Sequence, residues 1–458
     1  MFMKLRVILA VFLCKLVRFA LRVLRRGGTA LPGKIALAIC PDLLRHLASG
    51  VECVAITGTN GKTTSARMLE QFFIDSGKGY ISNKSGSNLM RGIVAEFALS
   101  ATASGKPKHK HAIIECDEAA SKKVFEYLDP AIVLVTNVFR DQLDRFGDVG
   151  VTLENIIVGV KNAPNATICL NADDSLVASI AEVIPNKVRF FGIDASLYEK
   201  EADNFSDAPN CLKCGGELIY AYRTYGHLGG YRCPSCGYDR NSPDIAVTAL
   251  ISHDADSQAA LFRAYGEAFN LTVNLPGEYN LYNAAGAIAA AFEMGFTIDA
   301  AKDALLRFEC GFGRMEKFEL RGEPVRIILA KNTVGCNQVL NYLSGLTGDF
   351  LFIICLNDRI ADGTDISWIE DVCFEKLLDI SDRLRFVFVS VTRAADLAQR
   401  LKRSGFPDGF VRVFGDLGDM LDSALLEGLP VFIMPSYTAM LELRAIIRRR
   451  FGIKNFWE

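Results

Sequence analysis

The amino-acid sequence predicts an α/β protein with two parallel-sheet domains and a small metal-binding insertion in the first of them. Three observations support this prediction. Strand and helix patterns alternate along most of the chain, a glycine-bearing phosphate loop follows the first strand, and four cysteines form two close pairs. The length of 458 residues suggests two or three domains, and the 50% hydrophobic content is sufficient for their cores. No uninterrupted apolar run approaches the ~20 residues of a membrane-spanning helix.

The N-terminal segment, residues 1–44, differs in charge from the rest of the chain. Residues 1–41 contain eight lysines and arginines and no acid, whereas the remainder contains 43 basic and 53 acidic residues. The acidic remainder argues against nucleic acid as a partner. Apolar residues recur between the basic ones at near-helical spacing, which predicts a basic amphipathic helix. Packing on its own domain and peripheral contact with a membrane are both open. A secretory signal is disfavoured because Lys15 and Arg18 interrupt its apolar region.

The central domain is expected at residues 45–315, after a linker-like stretch at 27–33. Short β-branched runs predict strands, and residues at helical spacing predict helices. The strands are expected at 52–57, 112–115, 132–136 and 167–170, and the main helices at 63–76 and 280–294. Residues 316–458 repeat the alternation as a C-terminal α/β domain. Its strands are expected near 325–329, 351–356, 385–391 and 430–434.

The first functional motif is a candidate phosphate loop between a strand and a helix. Such a loop points backbone N–H groups and the helix dipole at a phosphate. A lysine at its end provides a charge for the outer phosphates, and the next hydroxyl can bind Mg²⁺. The glycine spacing differs from the common pattern, because Ile56 stands where a glycine is usual. The predicted nucleotide-binding residues here are Gly58, Thr59, Asn60, Gly61, Lys62, Thr63 and Thr64.

Polar residues follow two later strands and are expected at the same edge of the sheet. Glu115 ends one strand and is the candidate Mg²⁺ ligand together with Thr63, since Mg²⁺ needs only one or two carboxylates in such sites. Asn137 ends the next strand, and Asp141 and Asp144 follow it. Taken alone, each of these acids is better explained as a solvated loop or helix-cap residue, and the phosphate loop is what favours Glu115 as a metal ligand.

The second motif consists of Cys211-x-x-Cys214 and Cys233-x-x-Cys236. This spacing is typical of two knuckles that hold one structural Zn²⁺ within a small ribbon, here an insertion at about 204–242. Two disulfides and a chance spacing are the alternatives. The other nine cysteines are scattered as reduced thiols would be, which favours a reducing cytoplasm.

The third motif places Asn280 and Asn283 one turn apart at the start of a helix, followed later by Arg314. The two amides are candidates for hydrogen bonds with an adenine edge. Arg314 lies between the two α/β units, where domain closure could bring its charge onto a γ-phosphate. An N-cap and a surface amide are the simpler alternative for the asparagines.

The order of these motifs resembles that of the Mur ligase superfamily. The residues that carry the resemblance are 58–64, Thr136-Asn137, 171–174, Gly277-x-x-Asn280-x-x-Asn283 and Gly313-Arg314. The four-cysteine insertion, residues 136–147 and residues 356–368 are similar to the MurT family of that superfamily. Thr333 and Glu370 depart from its pattern. The resemblance implies a Mur ligase central domain with a zinc-ribbon insertion and a Rossmann-like C-terminal domain.

The resemblance also implies an activity. The α-carboxylate of D-glutamate in the lipid II stem peptide would be activated by ATP and Mg²⁺ as an acyl phosphate and amidated to D-isoglutamine. Ammonia would come from a GatD-like glutaminase subunit, with Asp365 as the catalytic residue that orients a histidine of that partner. The expected location is the cytoplasm, at the inner face of the plasma membrane.

Two other functions are weighed against this one. A stand-alone amino-acid ligase of the folylpolyglutamate type would use a free amino acid and no partner, and residues 362–368 argue against it. A non-catalytic zinc-ribbon scaffold would bind nucleotide without turnover, and the phosphate loop with Glu115 argues against that.

Overall fold

The computed structural model describes residues 2–24, 30–83, 87–140, 149–197, 206–311 and 313–452. Asp141 and Asp144 lie outside these ranges. The N-terminal helices and the elements of the first sheet and its insertion follow one another as α1 (Phe2–Val23), α2 (Ala30–Ile39), α3 (Leu43–Ala48), β1 (Glu52–Thr57), α4 (Lys62–Asp75), β2 (Tyr80–Ser82), α5 (Met90–Leu99), β3 (His111–Glu115), α6 (Glu118–Leu128), β4 (Ile132–Val135), α7 (Val149–Lys161), β5 (Thr167–Asn171), α8 (Ser175–Ser179), β6 (Val188–Ile193), β7 (Ile219–Arg223), β8 (Gly229–Arg232), β9 (Ile245–His253), β10 (Gln258–Ala264), β11 (Glu267–Val273), α9 (Glu278–Glu293) and α10 (Ile298–Arg307).

The first sheet has nine strands in the order β11-β10-β9-β6-β5-β4-β1-β3-β2. The seven strands from β2 to β9 are mutually parallel, and β10 and β11 extend the sheet as an antiparallel edge. Successive side chains of β1 enter opposite cores, with Val54 and Ile56 on one face and Cys53 and Ala55 on the other. Helices therefore cover both faces, which is why the central strands are apolar throughout.

The C-terminal sheet has six strands in the order β12-β13-β17-β14-β15-β16, all parallel except the β12–β13 pair. It confirms the predicted second α/β unit. Its elements are β12 (Arg314–Leu320), β13 (Glu323–Ile328), α11 (Thr333–Ser344), β14 (Phe350–Cys355), two 3₁₀ turns (Ser367–Asp371 and Phe374–Leu377), β15 (Leu384–Ser390), α12 (Ala394–Arg403), β16 (Val411–Phe414), α13 (Leu417–Leu426), β17 (Val431–Pro435) and α14 (Tyr437–Phe451).

The predicted amphipathic helix is α1, and it packs on the first sheet's domain. Val7, Ala10, Val11 and Cys14 are buried in the core that lies against one face of this sheet. The stretch expected as a linker instead contains the first residues of α2, which packs between α1 and α5. None of the described helices has both the length and the low charge needed to cross a bilayer.

Candidate functional site

The phosphate loop is a tight turn between β1 and α4, formed by two glycines in left-handed backbone conformations. Gly58 has φ +119° and Gly61 has φ +86°. A Cβ atom at Gly61 would lie 2.1 Å from Asn283 Oδ1, so α9 approaches the loop too closely for any side chain there. The loop therefore depends on glycine for both its conformation and its packing.

Thr136 and Asn137, directly after β4, hold this loop in place. The backbone N–H of Asn60 donates to Asn137 Oδ1 at 2.9 Å, and Asn137 Nδ2 donates to the carbonyl of Asn60 at 3.1 Å. Thr136 Oγ1 donates to the same carbonyl at 2.7 Å. Since β4 is the neighbour of β1, the sheet register brings these residues to the loop. These hydrogen bonds within the protein thus fix the shape of the loop.

Lys62 is buried at the start of α4 and forms an ion pair with Glu118. Its Nζ lies 2.6 Å from Glu118 Oε1 and also donates to the carbonyls of Gly58 and Thr59. Burial alone would lower the pKa of Lys62, but the charges of Glu118 and Glu115 outweigh it and raise the pKa above its ordinary value. Lys62 is therefore a fixed cation beside the loop. Sequence reasoning did not assign a role to Glu118.

Thr63 and Glu115 come together as the sequence predicted for a magnesium site. Thr63 Oγ1 donates to Glu115 Oε2 at 2.9 Å. The backbone of Glu115 is held by Asn83, whose amide accepts from its N–H at 2.9 Å and donates to its carbonyl at 2.7 Å. Hydroxyl and carboxylate oxygens are the hard ligands that Mg²⁺ prefers, and Mg²⁺ usually takes its remaining ligands from waters and substrate phosphates. The donor set therefore fits Mg²⁺.

Asn280, Asn283 and Arg314 line one cleft with Asn60 and Gly61. The two amides bond within the protein: Asn280 Nδ2 donates to the carbonyl of Pro276 at 2.6 Å, and Asn283 Nδ2 donates to Asn280 Oδ1 at 3.1 Å. Asn280 thus orients Asn283 against the loop. Contact of these residues with a nucleotide stays a prediction.

The C-terminal domain also reaches the phosphate loop, which the sequence did not indicate. Asn332 Nδ2 donates to Asn60 Oδ1 at 3.2 Å, while Asn332 Oδ1 caps α11 by accepting from the N–H of Gly335 at 2.8 Å. The side chain of Asn60 therefore joins the two domains at the candidate site.

The four cysteines converge at the open end of the ribbon formed by β7 and β8, with one pair before β7 and the other after β8. Their ligand atoms all lie within 4.8 Å of one another, with Cys211 Sγ 3.6 Å from Cys236 Sγ and Cys214 Sγ 3.5 Å from Cys233 Sγ. A tetrahedral Zn²⁺ with bonds of about 2.3 Å separates its sulfurs by about 3.8 Å, whereas a disulfide needs about 2.05 Å. The cluster fits a metal, and four thiolates would leave no position for a substrate.

The loop between β7 and β8 connects this ribbon to the cleft lined by Asn280, Asn283 and Arg314. Tyr225 lines the cleft and stacks on Phe139, with ring centroids 5.7 Å apart. The backbone carbonyl of Phe139 accepts from the hydroxyl of Thr59 at 3.2 Å, and its N–H donates to the same hydroxyl at 3.0 Å. Thr224 Oγ1 lies 2.8 Å from the hydroxyl of Tyr282 on α9. No local motif in the sequence indicates this connection.

The base of the ribbon is held by a buried charged group on the first sheet. Arg240 Nε lies 2.6 Å from Asp173 Oδ1, and the Tyr282 hydroxyl donates to Asp173 Oδ2 at 2.6 Å. Burial raises the pKa of Asp173 to about 6, although both contacts oppose this. The ribbon is therefore an integral part of the first domain.

Asp365 lies in the C-terminal domain, between β14 and the 3₁₀ turn that begins at Ser367. Its Oδ1 accepts from the N–H of Ser367 at 2.8 Å, and its side chain is partly exposed. Nearby, Asp362 is buried and accepts from both the N–H and the hydroxyl of Thr438. Asp362 therefore anchors the segment to α14. The catalytic role of Asp365 stays a prediction.

The fold and the phosphate site define a nucleotide-binding protein of the Mur ligase type. The Mur ligase middle domain family matches residues 56–227, and the MurT ligase C-terminal family matches residues 329–440. The MurT subunit of lipid II isoglutaminyl synthase (glutamine-hydrolyzing) from Streptococcus pneumoniae is 32% identical over 94% of this chain and 95% of its own length. The same subunit from Staphylococcus aureus is 34% identical over 86% and 87%, respectively. The chain therefore belongs to the MurT family, as the sequence motifs predicted.

Solved structures give the same fold at lower identity. A pseudomurein peptide ligase type C from Methanothermus fervidus matches with a TM-score of 0.64 and 21% identity, over 87% of this chain and 79% of that one. MurF from Acinetobacter baumannii matches with a TM-score of 0.67 and 14% identity, over 93% and 82%. At these identities the likeness shows the fold alone, and it confirms the predicted Mur ligase architecture.

Proposed function

We propose that this protein is the ligase subunit of a lipid II isoglutaminyl synthase. ATP would phosphorylate the D-glutamate α-carboxylate of the stem peptide, and ammonia would attack the acyl phosphate to give D-isoglutamine and phosphate. A carboxylate oxygen is a poor leaving group, so phosphorylation is what makes the attack feasible. The observation that carries the proposal is the pre-formed loop with Lys62 and the Thr63–Glu115 pair, in a chain related over nearly its whole length to MurT subunits.

The residues of this chain would act by positioning and by charge. The N–H groups of the loop and Lys62 would hold the outer phosphates of ATP, while Arg314 would neutralise charge on the transferred phosphoryl group. Thr63 and Glu115 would hold Mg²⁺, which supplies further charge stabilisation when it is bound. Asn137, Asn280 and Asn283 would shape the loop and the wall of the nucleotide cleft. The four cysteines would hold a structural Zn²⁺.

Ammonia would be delivered by a glutaminase partner of the GatD type. The names of the S. pneumoniae and S. aureus relatives describe glutamine-hydrolysing enzymes with subunits, which supports a partner. Asp365 would orient a histidine of that partner, because a partly exposed carboxylate held by one backbone bond keeps acceptor positions available. The complex would work in the cytoplasm, at the inner face of the membrane that carries lipid II.

The proposal is tested with the reconstituted complex, using lipid II with either glutamine or ammonium as the nitrogen donor. Asp365→Asn should abolish amidation from glutamine but retain it from ammonium, because only the partner's histidine loses its support. The matched control is Asp371→Asn, an exposed aspartate of the same segment, which should retain both activities. Equal loss with both donors in a folded complex would refute the role of Asp365. Failure of the wild-type complex to amidate lipid II with ammonium would refute the function itself.

A further inference from the structure

Helix α1 has a second apolar face, opposite the one that packs on the protein. Seven apolar side chains at helical spacing are exposed there: Leu5, Ile8, Leu9, Phe12, Leu16, Phe19 and Val23. At 100° per residue they fall within an arc of about 100°, centred opposite the buried Val7, Ala10, Val11 and Cys14. We call these seven residues the outer stripe. A continuous apolar stripe of this length is a typical interaction surface.

Basic residues border the outer stripe. Lys4 and Arg22 are exposed on α1, which contains no acidic residue. Lys15 and Arg6 donate to the carbonyls of Ala101 at 2.5 Å and Ile39 at 2.8 Å, respectively. These two side chains therefore fasten the helix to its domain and fix which face points outward.

A second basic element lies beside α1. The loop between α5 and β3, which we call the lysine loop, carries Lys106, Lys108 and Lys110, all of them exposed. It touches the helix directly, since a Cβ at Gly105 would lie 2.7 Å from Val7 Cγ1. Burial lowers the pKa of Lys15, and the charge of Lys108 lowers it further. Helix α1 and the lysine loop therefore share one positive field. Glu96 of α5 is half-buried, and the charges of Arg18 and Arg22 act on it from α1.

We propose that the outer stripe and the lysine loop dock this protein onto a bilayer that contains anionic phospholipid. An apolar face with a cationic border is the pattern of helices that lie in the plane of a membrane interface. A second copy of this chain would bring identical positive borders together, so charge disfavours self-association through this face. The inference rests on the proposed function in one respect: docking would hold the cleft beside a lipid-linked substrate.

The test is flotation of the full-length protein with vesicles of phosphatidylcholine alone or mixed with phosphatidylglycerol. Wild-type protein should float with the anionic vesicles and be released by high salt. Leu9→Asp/Phe12→Asp/Leu16→Asp should abolish flotation. Lys106→Gln/Lys108→Gln should weaken it roughly 25-fold, at about fivefold for each lysine. The matched control is Leu426→Asp, an exposed leucine of α13, which should float like wild type.

The outcomes separate membrane docking from its alternatives and from the proposed function. Absence of wild-type flotation, or unchanged flotation of the stripe variant, would overturn the inference. The inference would also be overturned if the only effect of the stripe substitutions were to abolish a dimer or to abolish binding of the glutaminase. With a short-chain, water-soluble substrate the stripe variant should amidate at the wild-type rate. If wild-type protein floats but never amidates, the proposed function fails and the docking surface stands.

Discussion

Removal of Lys62 tests the buried ion pair that organises the phosphate loop. The side chains of Lys62 and Glu118 are only 10% and 7% exposed, and their charged atoms are 2.6 Å apart. Lys62→Ala should abolish ATP turnover because the outer phosphates lose their cation. It should also lower the free energy of unfolding by about 3–5 kcal/mol, since Glu118 is left buried without its partner.

A double-mutant cycle separates the pair from the rest of the site. Glu118→Gln removes the uncompensated charge, so Lys62→Ala/Glu118→Gln should be more stable than Lys62→Ala, with an interaction energy of about 1–3 kcal/mol. The surface pair of Lys302 and Asp299, with side chains 44% and 91% exposed, provides the control. Lys302→Ala should cost less than about 1 kcal/mol.

Thermal unfolding of nucleotide-free protein measures this cycle. For a domain of this size each kcal/mol shifts Tm by roughly 2–4 °C, so Lys62→Ala should lower Tm by roughly 6–20 °C. Additive effects of the two substitutions would refute the ion pair. Near-normal ATP turnover by Lys62→Ala would refute the assignment of the phosphate loop.

Three further predictions concern the loop, the ribbon and pH. Gly61→Ala should weaken ATP binding and lower the free energy of unfolding by about 1–3 kcal/mol, because φ +86° is strained for alanine. The loss of stability, measured by Tm, should be smaller in an Asn283→Ala background, because the new Cβ would otherwise meet Asn283 Oδ1. Metal analysis should find one Zn²⁺ per chain. Cys214→Ser should weaken zinc retention and also ATP affinity, because Tyr225 of the same ribbon lines the cleft. Unchanged ATP affinity in a zinc-free ribbon would contradict the link between the ribbon and the cleft. The folded-state pKa of Asp173, about 6, exceeds the unfolded value, so the stabilising contribution of this group falls as pH rises from about 4 to 6. Asp173→Asn should remove roughly 2–3 kcal/mol of this pH dependence of the free energy of unfolding, as measured by denaturation curves. An identical pH dependence in wild type and variant would contradict the prediction.

The sequence predicted the parallel sheets well because their strands are buried on both faces. Strand β1 was expected at the residues where it occurs, and β14 is buried throughout. The start of α2 was missed because Pro32 and Gly33 are typical of a linker. A Cβ at Gly33 would lie 1.7 Å from the carbonyl oxygen of Arg91, so this glycine permits close helix packing. Such contacts depend on partners far along the chain, and a local pattern does not reveal them.

The candidate site likewise has parts that the local sequence predicts and parts that it does not. The pairing of Thr63 with Glu115 was predictable because both residues follow adjacent strands of a parallel sheet. The contact between Asn60 and Asn332 spans 272 residues and joins two domains, so no local sequence pattern indicates it. Tyr225 reaches the cleft only because the ribbon is docked on the first sheet. Its position beside the cleft follows from tertiary packing alone.

The contacts between the two domains are both apolar and polar. One buried core contains residues of both, among them Leu275 of the first domain and Val339 of the C-terminal domain. Asp256, in the turn between β9 and β10, pairs with Lys317 at 2.9 Å and Arg326 at 2.8 Å on the C-terminal sheet. Burial alone would raise the pKa of Asp256, but the hydrogen bonds from these two cations lower it below its ordinary value. Its carboxylate therefore stays charged, and the contact keeps its strength, until the pH falls well below neutrality. Charged and amide contacts can be replaced by contacts with water when domains rotate, whereas separating the apolar contacts of the shared core would expose them to water. Movement of Arg314 toward the phosphate loop by domain closure therefore stays a prediction, while Thr136 and Asn137 hold the loop within the first domain.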